Sequence, residues 1–149
     1  MSLQAGAIIT AIAGLSISGV TIKDDNSIPA DVTNAGLPLF CPRPNGFISN
    51  LKTVRNSQNA AVTKYTVTYT LTYRLFYAPV GSGSGITSIY SAMVDKVFVI
   101  LDTVLANNAI NAAIDFTLRN VSDFGAVTDA VNHQFWGCDF TFDVMEFVD

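Results

Sequence analysis

Charge is scarce in this sequence. Asp, Glu, Lys and Arg make up 13% of its 149 residues, about half of the roughly 25% usual in soluble domains. The 8 Lys and Arg are never adjacent, and the net charge is −4. A nucleic-acid binder needs a basic stripe to neutralise phosphates, and an anionic membrane surface makes the same demand; neither partner is expected. Histidine is limited to His133 and cysteine to Cys41 and Cys138, with no CxxC pair, so a structural zinc site lacks ligands. The two cysteines permit one disulfide, but nothing in their spacing demands it; two reduced, buried thiols are the expectation.

Apolar residues are plentiful, at 50% with a mean hydropathy of +0.38, which excludes intrinsic disorder. The length fits one domain, and size scaling lets it bury about two thirds of its unfolded surface. A chain this apolar and this poor in charge is expected to hide surface against other subunits.

Residues Met1 to Ile22 carry no charged side chain. A signal peptide wants Lys or Arg before its apolar run, and none precedes Lys23. Gln4, Thr10, Ser16 and Ser18 interrupt the stretch too often for a spanning helix. A helix over 3–15, buried or at an interface, with Ser2 as N-cap, is expected instead, a cleaved signal being its rival. A short strand, Val20 to Lys23, follows.

From 27 to 46 the prolines Pro29, Pro38, Pro42 and Pro44 predict a loop and argue against a central strand. Two strands come next, over 47–54 and 62–77, joined by the polar tip Arg55 to Asn59. Tyr65, Val67, Tyr69, Leu71, Tyr73, Leu75 and Tyr77 alternate with Thr66, Thr68, Thr70, Thr72 and Arg74. This period of two in β-branched and aromatic residues is the strongest strand signal in the chain. Its length suggests a hairpin arm reaching beyond the core. After the flexible loop Pro79 to Gly85 comes the main helix, 86–106, with Tyr90, Met93, Val94, Val97, Leu101, Val104 and Leu105 on its apolar stripe. Strands at 115–121 and 136–146 enclose a loop or helical turn over 122–134. In the last strand Cys138, Phe140, Phe142 and Val144 are expected to face the core, and Asp139, Thr141 and Asp143 to face out. The order predicts a single α+β domain, an antiparallel or mixed sheet with helices on one face.

Catalytic patterns are weak. Gly81 to Gly85 precedes a helix as phosphate loops do, but no Lys follows, and neither GxGxxG nor GxSxG is completed. His133 has no partner motif, and a surface or structurally satisfied histidine is expected. Asp139 and Asp143, with Glu146 and Asp149 beyond, offer alternating carboxylates suited to acid–base work or a hard cation, but equally to a solubilised strand face. Asn120-Val121-Ser122 has the spacing of a glycosylation sequon, without meaning unless the chain is secreted. No catalytic, metal or cofactor-binding residue is assigned.

A family pattern emerges from the order of segments: GVTIKDDNSIPADV, then LPLFCPRP, then the strand YTLTYRLFYAPVG, a helix, and the tail FGAVTDAVNHQFWGCDFTFDVMEF. From Val20 to Phe147 this resembles the tail terminator (tail completion) proteins of long-tailed bacteriophages, and more loosely the neck proteins of the head–tail junction. The resemblance implies an α+β subunit, not an enzyme, that assembles as a homohexameric ring, caps the tail tube and docks on the head connector. It implies a virion protein made in the host cytoplasm, with DNA passing through the lumen unbound. The acidic balance suits such a channel. Leu37, Leu39, Phe40 and Phe47 are the candidate contacts of the Pro-rich loop, packing either on a neighbouring subunit or on the subunit's own core; Arg55, Asn56 and Gln58 are those of the hairpin tip. The reading from another class is a small-ligand pocket between an aromatic sheet face and a helix.

Overall fold

The computed structural model describes residues 3–55, 65–81, 86–106 and 114–148. Its elements are α1 (Ala5–Ala13), β1 (Thr21–Ile22), a 3-10 turn (Asn34–Gly36), β2 (Leu39–Pro42), β3 (Ile48–Arg55), β4 (Tyr65–Pro79), α2 (Ile86–Leu105), β5 (Ile114–Thr128) and β6 (Gln134–Val148). The strands form one 6-stranded sheet in the order β1-β2-β4-β6-β5, with β3 also on β4. Among the described residues only β1 and β2 run parallel; the other pairs are antiparallel. This is the expected α+β class, with a mixed sheet.

β4 is the spine. Its partner β6 runs beside it from Tyr65↔Val148 to Pro79↔Phe135, and β2 and β3 share its other edge end to end. The described length of β4 therefore lies within the sheet rather than leaving it as an arm, and the tip with Asn56 and Gln58 lies outside the described residues. Alternation decides what lies on each face. Val67, Tyr69, Leu71, Tyr73 and Leu75 join Cys138, Phe140, Phe142 and Val144 of β6 beneath both helices. Phe40 stacks on Tyr73 at 4.7 Å and meets Phe140 edge-on at 5.1 Å, while Phe116 stacks on Phe142 at 4.8 Å. Each such fully buried side chain contributes about 1.5–3 kcal/mol.

The sheet's second face carries a smaller core at one end. Val32, Leu39, Cys41, Phe76, Val127 and Phe135 pack there with Ile28 and Leu37. Adjacent β2 residues thus feed different cores: Leu39 and Cys41 the small one, Phe40 the large one. This corrects the reading of 27–46 as a loop without strand. Hydrogen-bond directions give the reason. Pro38 and Phe40 turn their carbonyls to Thr21 and Lys23, whereas Arg43 donates to Thr72 of β4. By that alternation Pro42 faces the β1 side, beyond the end of β1, where no N–H is needed.

β5 also runs further than expected, to Thr128, through register shifts at Leu118/Asn120 and Ser122/Gly125 that break its periodicity. Cys41 and Cys138 are both buried and unpaired, each on a different core. Burial pushes both thiols up to about 12, against the pull of Arg74 on Cys41 and with the push of Asp139 on Cys138.

At Gly137 two neighbouring strands approach closely. A Cβ there would lie 1.9 Å from the Leu75 carbonyl oxygen and 2.8 Å from a Val127 methyl. The neighbour is backbone in the sheet's centre and cannot yield. Gly137→Ala should lower stability by about 3 kcal/mol or more in urea unfolding; a loss within experimental error would contradict this packing.

Candidate functional site

Charged side chains inside the fold are already held. Asp139, expected to face out, is buried: Arg74 clasps it from β4 with Nε at 2.7 Å and Nη2 at 3.0 Å, and Arg74 also donates to the Thr128 carbonyl. Asp143 pairs with Arg119 of β5 at 2.7 Å, half exposed. Glu146 is buried on the helix side of β6, accepting from the Gln4 N–H at 2.6 Å and from the Tyr69 hydroxyl. It therefore satisfies a free backbone donor at the start of α1, a role the sequence reading gave to Ser2, which lies outside the described residues. Burial first, then the bond and charge of Glu146, raise the Tyr69 phenol far above its ordinary value.

A second cluster joins Asp31, Asp129 and His133. Asp129 is buried and accepts from the backbone N–H groups of Val32 (3.0 Å), Val131 (3.1 Å) and His133 (2.9 Å). Burial alone would raise its pKa, but these three donors and the nearby His133 hold it below the ordinary 3.8. His133 Nδ1 lies 2.9 Å from Asp31 and 3.4 Å from Asp129. The cluster clamps the segment before β2 against the β5–β6 turn, and its carboxylate oxygens and imidazole nitrogen lie within 4.8 Å of one another. His133 is thus tied to carboxylates at the turn and is placed beside neither cysteine.

The space between the sheet and the helices, where a ligand pocket was considered, is filled by side chains such as Tyr73, Phe142, Met93 and Ile100. A groove of about 280 Å³ opens on the other face, between Asn50 and Lys52 of β3 and Arg119 and Asp143 of the β5–β6 pair.

The candidate functional surface is apolar. Among the described residues β3 pairs only with β4, and it is exposed along most of its length, with Leu51 at 54% and Val54 at 64%. On α2 the buried stripe is narrow: Met93, Val97, Ile100 and Val104. Tyr90 and Leu105, assigned to that stripe, are exposed, as are Val99 and Phe98, the last at 60%. Exposed large apolar groups cost nothing singly, but grouped on one face they mark a contact.

Of the predicted contact residues, Arg55 is exposed at the end of β3 and sits 6.0 Å over the Tyr65 ring. Leu37 and Phe47 are half-buried against the subunit's own cores. Leu39 and Phe40 are wholly inside, so of the two covers considered for them the subunit's own core is the one observed. Sequence reasoning missed Leu51, Val54, Phe98 and Val99. For Phe98 and Val99 the signal was available, since both fall off the helix stripe.

No protein-family model matches this chain, and no curated protein matches it. No helix among the described residues is long and apolar enough to cross a membrane.

The Asp129 arrangement sets a pH dependence. Its folded pKa lies below 3.8, so its stabilisation is present above that value and is lost as pH falls through the lower folded value. Asp129→Asn should cost about 1–3 kcal/mol at neutral pH, and the gap to the parent protein should narrow below pH 3.8. Thermal melts across pH that stay parallel would contradict the assignment.

Proposed function

We propose that this chain is a structural subunit, not an enzyme, of a ring at the head–tail junction of a long-tailed bacteriophage. In this reading it is the tail terminator, capping the tail tube and joining it to the head connector, and its partners are its own copies, the tube protein and a head completion protein. The observation that carries the reading is the pair of exposed apolar surfaces, on β3 and on α2, in a chain with 13% charged residues. These surfaces lie on unlike elements. Unlike patches that meet between identical copies make a head-to-tail contact, and such contacts close into rings when the rotation allows. The segment order quoted above adds the assignment to the tail terminators. The net charge of −4 suits a lumen that lets DNA slide without sticking.

Gel filtration with light scattering should give an oligomer of about six times the 15.9 kDa subunit mass, alone or on purified tail tubes. Added to polymerising tube protein, the chain should stop elongation. A monomer at high concentration that leaves tube growth unchanged would overturn the proposal.

A further inference from the structure

The cluster at the β5–β6 turn sets two carboxylates, Asp31 and Asp129, against the single imidazole of His133. Among the described residues no Lys or Arg pairs with either carboxylate, so the cluster lacks a fixed positive charge. The backbone holds one donor in place. Asp129 is wholly buried, its N–H donates to the His133 carbonyl, and its Oδ1 accepts from the N–H groups of Val131 and His133. A carboxylate oxygen offers two lone pairs, so Oδ1 is filled. Oδ2 accepts from the Val32 N–H and keeps the other pair, and Oδ2 is the atom that lies 3.4 Å from His133 Nδ1. Asp31 Oδ1 stands 2.9 Å from the same nitrogen. Donor atoms about 2.1 Å from one zinc ion stand about 3.0–3.4 Å apart at octahedral to tetrahedral angles, and the two separations agree with that. All three donors lie within 4.8 Å of one another, and the Asp31 side chain, 63% exposed, has room to draw in.

We propose that Asp31 Oδ1, Asp129 Oδ2 and His133 Nδ1 together bind one zinc ion, with water on its remaining positions. The imidazole selects zinc over the hard cations magnesium and calcium, which prefer oxygen alone. Three protein donors and an open position distinguish this site from the closed four-ligand kind that the sequence excludes. Spacing along the chain does not reveal it, because 102 positions separate Asp31 from His133. Bound zinc ties the segment of Asp31 and Val32 to the turn of Asp129 and His133, across the smaller core that holds Val32, Val127 and Phe135. The site lies within one subunit, so it stands or falls independently of the ring reading.

Calorimetric titration of the full chain, stripped with a chelator and then given zinc chloride at neutral pH, should show one ion per chain. Asp31→Asn and His133→Gln change exposed side chains and should keep the parent's circular dichroism. Each should weaken binding about tenfold or more, since even an outer-shell partner is worth that much. Excess zinc should raise the parent's melting temperature more than that of either variant. His133 is the only histidine, so long-range proton–nitrogen correlation spectra read its ring alone. Zinc should shift Nδ1 and leave Nε2 protonated. The rival is a proton in the ion's place, with His133 an imidazolium between the two carboxylates; both ring nitrogens then carry protons, and zinc leaves the spectrum unchanged. That spectrum, a titration without zinc binding, or binding that survives both substitutions would overturn the site.

Discussion

The fold depends on one strand being paired along both edges. β4 needs β6 for its whole length on one side and β2 followed by β3 on the other. Backbone groups buried in the middle of a sheet must all find partners, so β4 fixes the register of its neighbours, and register fixes faces. Once Tyr73 stands opposite Phe140 and Leu71 opposite Phe142, the aromatic floor under the helices follows. α1, only 9 residues long, is too short to persist alone. It lies on that floor, with Glu146 holding the Gln4 N–H at its start.

The same register explains why the inner charges are structural. Arg74 and Asp139 are direct partners across the β4–β6 ladder, so their ion pair is built into the sheet. Removing one partner of such a pair leaves an uncompensated buried charge, a cost of about 3–5 kcal/mol. Asp139 and Glu146, two of the carboxylates weighed for acid–base work, are held in this way, and so is Asp129. Among the described residues, exposed large apolar side chains stand on both α2 and β3.

Much of this was legible beforehand. The alternation in β4 and β6 identified both strands and their buried faces, because a period of two survives wherever a ladder is regular. Glu146 shares its parity with Phe140, Phe142 and Val144, so its place on the buried face was implied by the same pattern that was read as surface charge. Other features were not legible, for physical reasons. Pro42 hides β2 because a proline's cost depends on which way its missing N–H would point. Bulges at Leu118/Asn120 and Ser122/Gly125 hide the second half of β5 by shifting its period. Asp31, Asp129 and His133 meet only through the packing of the 27–37 segment on the sheet, which local pattern does not encode. The candidate surface was half visible: Arg55 was named, whereas Leu39 and Phe40 were candidates for either cover and lie in the subunit's own core.

In the proposed ring, identical subunits cover these surfaces for one another. Zero-length carbodiimide coupling reads that contact directly, since it joins a lysine amine to a carboxylate only where the two already touch. Labelled and unlabelled chains would be mixed, assembled, coupled and digested. Peptides in which a lysine is bonded to a carboxylate, with the isotope labels mixed across the bond, are the expected product. Protein in which every such bond stays within one chain would contradict it.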